Sequence, residues 1–188
     1  GSVNVLVVQP NIDPYADKFS LSQEEQTDNM LSLINPHIDS TINFLLLPET
    51  FLIQPIWEHS LANNLDIKRL ASLADQYSFN IIVGATTLQL SKKGPTAKPL
   101  SSHKDQWYKV YNSALHLNQF GINIHHKSKL VPGAEQMPFQ NFLYPIFGDR
   151  ILNIGNSNTV GNFATQDSVS IFLSNSVKSA PIICYESI

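Results

Sequence analysis

Three side chains in this chain of 188 residues are of the types that together perform acyl transfer: Glu49, Lys127 and Cys184. A thiolate attacks, a carboxylate takes the thiol proton, and a cation steadies the oxyanion that forms on the attacked carbonyl. Cys184 is the only cysteine, in Ala180-Pro181-Ile182-Ile183-Cys184-Tyr185-Glu186. Glu49 follows the apolar run Leu45-Leu46-Leu47-Pro48. Lys127 lies in His125-His126-Lys127-Ser128-Lys129-Leu130-Val131-Pro132. Each stands at the end of a predicted strand, where α/β proteins gather their reactive groups.

Each also has a plain structural counterpart. Glu49 can be a surface carboxylate in a strand-to-loop turn, although partial desolvation at the exit of a buried strand would make it a better base. Lys127 can be an edge-strand lysine, whose loss would barely change stability. Cys184 can be a small buried hydrophobe. Against that, a strand turning outward at Cys184 would expose the sulfur and aim the Tyr185 backbone N–H at an oxyanion. Glu135 follows Lys127 in a Pro/Gly-rich loop, where it is either solvated or placed to hold the ammonium. His125 and His126 are adjacent, so they face opposite sides of a strand and cannot chelate one ion together. With one cysteine and scattered histidines, a zinc site is not expected.

The elements that must position these groups follow from apolar patterning. Val3 to Gln9 and Phe44 to Leu47 read as buried strands. Ser22-Gln23-Glu24-Glu25 resembles a capping box, opening a helix to about Asp39. Residues 49–64 read as a loop, and Leu65, Leu70, Leu73, Ala74 and Tyr77 recur at helical spacing. Asn80 to Leu90 reads as a central strand. Residues 91–106 read as an exposed loop. Trp107 to Leu117 and Ile122 to Lys127 form a hairpin with a four-residue loop. Residues 129–148 and 153–162 read as irregular. Val169 to Leu173 and Ala180 to Tyr185 are the last predicted strands. This alternation of strands and helices predicts an α/β layer fold, one domain over 1–188.

Composition narrows the partners. Net charge is −3 and charged residues make up 14%. No basic stripe suited to nucleic acid is present. A lone cysteine excludes an internal disulfide framework. No stretch approaches the roughly 18 apolar residues of a membrane span. Gly1-Ser2 reads as a tag remnant, and a chain ending just past Cys184 reads as cut short at the nucleophile strand.

Taken together, these segments resemble the carbon–nitrogen hydrolase (nitrilase) superfamily and, more narrowly, the periplasmic domain of bacterial apolipoprotein N-acyltransferases. The resemblance runs through Val8-Gln9-Pro10-Asn11-Ile12, Leu47-Pro48-Glu49-Thr50 and Tyr111-Asn112-Ser113-Ala114-Leu115. It continues through Lys127 with Leu130-Val131-Pro132, Glu135 and Pro138-Phe139, and ends on Pro181-Ile182-Ile183-Cys184-Tyr185-Glu186. Two positions depart from the pattern. Gly133-Ala134 replaces the usual Phe-Gly, and Lys18-Phe19 replaces Lys-Trp.

The resemblance implies a four-layer α-β-β-α sandwich, incomplete at its C-terminal end. It implies a triad of Glu49 as base, Lys127 on the oxyanion side and Cys184 as nucleophile, with Glu135 and Glu186 as supporting carboxylates. No metal or organic cofactor is implied. The donor would be a phospholipid acyl ester and the acceptor the α-amine of a diacylglyceryl-cysteine lipoprotein. The domain would face the periplasm, held at the bacterial inner membrane by segments outside this chain. By itself the chain is expected to gather the triad yet transfer acyl groups poorly. A soluble amidase or nitrilase, or a non-catalytic binding domain on the same fold, are the alternatives.

Overall fold

A computed structural model describes residues 2–11, 22–49, 51–94, 96–132, 135, 163–174 and 177–188. Phe19, Gly133, Ala134 and the segment 153–162 lie outside the described residues.

The main sheet has seven strands: β1 (Val5–Val7), β2 (Phe44–Leu46), β3 (Leu52–Trp57), β4 (Asn80–Ser91), β5 (Lys98–Leu100), β6 (His103–Asn118) and β7 (Gly121–His126). Among the described residues two α-helices, α1 (Gln23–Ile34) and α2 (Leu65–Tyr77), accompany this sheet. A separate hairpin pairs β8 (Phe172–Ser174) with β9 (Val177–Ser179). β1, β2 and β4 run parallel, whereas β6 and β7 are antiparallel to their neighbours.

Local chemistry accounts for the helix starts. The Ser22 hydroxyl accepts the Glu25 N–H, and the Glu25 carboxylate accepts the Ser22 N–H, the reciprocal capping box the sequence predicts. Asn64 caps α2 by accepting the Ile67 N–H at 3.1 Å. α1 ends at Ile34 rather than near Asp39 because Pro36 diverts the chain into a short 3₁₀ turn.

Successive residues of a strand face opposite sides, so the sheet has two unlike faces. On one, Leu45, Ile81, Val83, Leu115 and Leu117 join Met30, Ile34, Ile67, Leu70 and Ala74 in a single apolar core. The opposite face carries Val5, Phe44, Ile82, Gly84, Ala114, Asn112 and His116. The β8–β9 hairpin docks there, with Phe172 stacked on the His116 ring at 4.9 Å. Asn80 Oδ1 gathers His116 Nε2, Asn118 Nδ2 and the Ser174 hydroxyl, tying hairpin to sheet. β1 is less buried than its apolar sequence predicts: Val7 is 65% exposed.

Two predicted loops contain strands. Residues 52–57 form β3 despite Pro55, because among the described residues β3 pairs only with β4 and bulges between Leu52 and Ile56. A strand with one free edge tolerates the missing N–H of proline. β5 likewise holds Pro99 at a short edge beside β6. The β6–β7 connection is tighter than predicted. Only Gln119 and Phe120 lie between the strands, Asn118 Oδ1 accepts the Phe120 N–H, and Gly121 takes φ +132°.

Candidate active site

Glu49 is placed by a strand switch. β2 pairs with the first half of β4, and β3 pairs with its second half along the same edge. β2 ends at Leu46 and β3 begins at Leu52. The Leu47 N–H donates to Ile82 O at 2.8 Å, and the Gly84 N–H donates to Pro48 O at 3.2 Å. Glu49 therefore leaves the sheet at its centre, beside Gly84.

Lys127 lies one residue beyond β7. Its N–H donates to Asn112 O on β6 at 2.8 Å, which carries the pairing on past the strand. The side chain is fully buried, so the edge-strand reading of this lysine is overturned. Its Nζ donates to Glu135 Oε1 at 2.9 Å and Glu49 Oε1 at 3.2 Å. Burial alone would lower the Lys127 pKa, but the hydrogen bonds and negative charges of Glu135 and Glu49 outweigh it, leaving it above the ordinary lysine value. Glu135 behaves as the mirror case. Burial would raise its pKa, yet the Val131 N–H, Lys127 and Asn112 hold it below the usual carboxylate value.

Asn112 completes the cluster and was not singled out by sequence reasoning as functional. It is buried, and its Nδ2 donates to both Glu49 Oε1 at 2.8 Å and Glu135 Oε1 at 2.9 Å. Two carboxylate oxygens thus lie between an ammonium and an amide. That demand fixes the amide orientation and leaves Asn112 Oδ1 with no hydrogen-bond donor among the described residues. Such an orphaned acceptor costs about 1–3 kcal/mol. The signal in the sequence was the Tyr-Asn-Ser-Ala-Leu stretch, which names the residue but not its partners.

Cys184 is not on a strand. Ala180–Ile183 are irregular, and Cys184–Ser187 form a 3₁₀ turn. Cys184 is exposed and has φ +49°, the left-handed region. For a side chain with a Cβ this conformation costs roughly 1–2 kcal/mol. The outward turn expected at Cys184 is therefore present, built by a turn rather than by the end of a strand. Tyr185 follows within it, its ring under the Lys129 ammonium at 5.4 Å.

Glu186 folds back and binds four donors. Its carboxylate accepts the Ser128 N–H and hydroxyl, each at 2.6 Å, the Ile183 N–H at 2.7 Å and His125 Nε2 at 3.2 Å. Burial would raise its pKa, but the Ser128 hydroxyl and N–H, the Ile183 N–H and His125 bring it below the ordinary value. His126 points away from this group, as adjacent strand residues must. It stacks on Tyr111 and meets Glu58 Oε1 at 2.7 Å.

Glu49 and Cys184 line one cavity of about 460 Å³ between the main sheet and the β9–Cys184 segment. Its walls are chiefly apolar and include Val5, Phe44, Leu46, Ile82, Val177 and Ile182. A partly exposed carboxylate and an exposed thiol line an apolar chamber, and a buried ammonium bonds to that carboxylate; these are the group types of acyl transfer to or from an apolar group.

The carbon-nitrogen hydrolase family model matches residues 4–188. Among curated proteins, apolipoprotein N-acyltransferase from Chlorobaculum tepidum is 24% identical over 200 aligned positions, covering 99% of this chain and 35% of that protein. The chain thus spans about a third of that relative's length. Two solved structures share the fold. A CN-hydrolase superfamily protein from Xanthomonas campestris aligns at TM-score 0.51 and 12% identity, over 88% of this chain and 49% of its own. An N-terminal amidase aligns at TM-score 0.51 and 13% identity, over 90% of this chain and 33% of its own. The fold expected from the sequence, a mixed α/β architecture of the nitrilase type, is the one observed. This chain belongs to the carbon-nitrogen hydrolase family.

Proposed function

We propose that this chain is the catalytic domain of an N-acyltransferase that moves an acyl chain from a phospholipid, through a thioester on Cys184, to the α-amine of a diacylglyceryl-cysteine lipoprotein. The observation that carries the reading is the Glu49–Lys127–Glu135 cluster beside an apolar cavity shared by Glu49 and Cys184. Similarity to an apolipoprotein N-acyltransferase along nearly the whole chain supports the choice of substrates.

In the first step Glu49 takes the Cys184 proton, and the thiolate attacks the ester carbonyl. The tetrahedral oxyanion draws on the Lys127 ammonium and the Tyr185 backbone N–H. An ammonium has three donors, and Glu49 and Glu135 account for two of them here. Collapse breaks the ester C–O bond, and Glu49 returns its proton to the departing lysophospholipid oxygen. In the second step the lipoprotein amine attacks the thioester, Glu49 takes a proton from the nitrogen, and the thiolate leaves and is reprotonated. Glu135 keeps Lys127 charged and in place. The apolar cavity walls suit an acyl chain.

Among the described residues no helix is long and apolar enough to cross a membrane. Attachment to the inner membrane, with this domain in the periplasm, belongs to the same proposal and follows from the resemblance noted in the sequence.

The test uses the whole protein with phospholipid bearing a labelled acyl chain. Intact mass rises by one acyl group in the wild type and not in Cys184→Ala, and a diacylglyceryl-cysteine lipopeptide discharges the adduct as an amide. Discharge to water alone would assign a hydrolase instead. An adduct that persists in Cys184→Ala contradicts the reading.

A further inference from the structure

We propose that Gln166 and His125 are positioning residues for the thiol: they orient Glu186 as a pin that holds the Cys184 turn in its left-handed conformation. The link to catalysis rests on Cys184 being the nucleophile. The pin itself does not.

A left-handed residue with a side chain persists only where its surroundings over-determine it. Nothing in Ile183-Cys184-Tyr185 favours that conformation locally, so the constraint comes from elsewhere. Glu186 supplies it, binding the N–H of Ile183, directly before Cys184, and both donors of Ser128, directly after Lys127. One carboxylate thus ties the thiol turn to the segment that carries the lysine. The Ser187 hydroxyl adds a bond to Cys184 O at 2.9 Å. Glu186 is nearly buried, with its side chain 7% exposed. A carboxylate offers about four lone-pair sites, and four donors already meet this one, so it is a clamp rather than a reacting group.

The remaining donor, His125 Nε2, is set by Gln166. Phe163 bridges to Val110, and the Ala164 N–H donates to Val110 O, which carries the following residues past the end of β7. There Gln166 Oε1 accepts the His126 N–H at 2.8 Å. Its NH₂ is thereby turned toward His125 Nδ1 at 2.9 Å, and its two protons are shared among Nδ1, Ser168 O and Ser170 Oγ. Nδ1 must then be the acceptor, which leaves the proton on Nε2, facing Glu186. This tautomer is assigned by the network. The opposite one would set a lone pair against a carboxylate and an N–H against an NH₂. Order therefore passes from Gln166 to His125, to Glu186, to the turn.

The experiment, made in the whole protein, compares wild type with His125→Phe, Gln166→Leu and the donor-retaining His125→Gln. It reads amide exchange at Ile183 and Ser128, the rate of Cys184 acylation by a p-nitrophenyl fatty ester, and thermal melting. The expected result is at least tenfold faster exchange at both amides in His125→Phe and Gln166→Leu. Acylation should slow by about ten- to a hundredfold, since a misplacement of about 1 Å costs on that order. Melting should move by only a few degrees, and His125→Gln should recover both losses. Should His125→Phe fail to fold, Gln166→Leu, one step further from the turn, decides the matter. Unchanged exchange at Ile183 in Gln166→Leu would overturn the proposal, as would protection lost evenly across the sheet or a His125→Gln that behaves like His125→Phe. If wild-type Cys184 proves inert to the ester, the functional reading fails, and exchange at Ile183 still decides the pin.

Discussion

The two faces of the main sheet are built on different principles. The face packed by α1 and α2 is held by apolar contact: Met30, Ile34, Ile67 and Leu70 against Ile81, Val83, Leu115 and Leu117, all at most 2% exposed. The face bearing the site is held by polar groups. Its fixed points are the Asn80–His116–Ser174 network, the Glu49–Lys127–Glu135–Asn112 cluster and the Glu186 pin. Apolar packing is non-directional and forgiving, whereas buried hydrogen-bonded charge is specific and costly to break. The helix side therefore supplies stability, and the site side holds a left-handed Cys184 and a buried Lys127 ammonium in fixed geometry.

That contrast yields an ordered set of expectations. Lys127→Met should be the most damaging, at about 3–5 kcal/mol, because it leaves Glu135 buried without its counter-charge. Urea denaturation would measure this, and a loss below about 0.5 kcal/mol would return Lys127 to the edge-strand role. Leu70→Ala on the helix side should cost about 2–5 kcal/mol from transfer and cavity together, yet leave Cys184 acylation per folded molecule unchanged. Asn112→Leu should have the reverse profile. Removing the amide from two carboxylates, together with its own orphaned acceptor, should cost no more than about 3 kcal/mol. The rate of Cys184 acylation should nevertheless fall at least tenfold, which single-turnover kinetics beside a melt would separate.

Acid should loosen the two polar regions in sequence. Burial lowers the His116 pKa from the ordinary value of 6.5. The unfolded chain therefore binds more protons, and stability falls as pH drops below about 6.5 and on through the folded value. Glu135 and Glu186 are also lowered, from an ordinary value of 4.5, so their contribution is present above that pH and lost as pH falls through their folded values. Urea denaturation across pH should therefore show stability beginning to fall below about pH 6.5 and falling further once pH passes below about 4.5. A curve flat between pH 7 and 4.5 would leave His116 without a part in it. At the small end, Val7→Ser should change stability by less than about 0.5 kcal/mol, since that side chain is already mostly exposed.

Much of this was legible from the sequence, and the remainder has physical reasons. Apolar runs and caps located β2, β4, α1 and α2, because those signals are local. β3 and β5 escaped notice because Pro55 and Pro99 argue against strands, and their tolerance depends on edge positions that only the assembled sheet defines. The residue types at Glu49, Lys127, Glu135 and Cys184 were readable, but the burial of Lys127 was not. It arises from contacts with Asn112 on β6, Glu49 beyond β2 and Glu135 from the following loop. Cys184 read as a strand residue because Ile182-Ile183 is apolar. Glu186 turns the chain there by reaching back to Ser128, a partner 58 residues away in sequence. Gln166 carries no local signal, since its role exists only through His125.

On the proposed function, Glu49 acts on Cys184 as the base of one acyl-transfer site. Single-turnover acylation of Cys184 by a fatty acyl ester, compared in the whole protein between wild type and Glu49→Gln at pH 7, is the decisive measurement. The substitution keeps the side chain's shape and its contact with Lys127, yet cannot accept the thiol proton. A fall of about 10²–10⁴-fold is predicted, with Cys184 still the residue modified. Equal rates in the two proteins would contradict the claim and leave Glu49 as a partner of Lys127 alone.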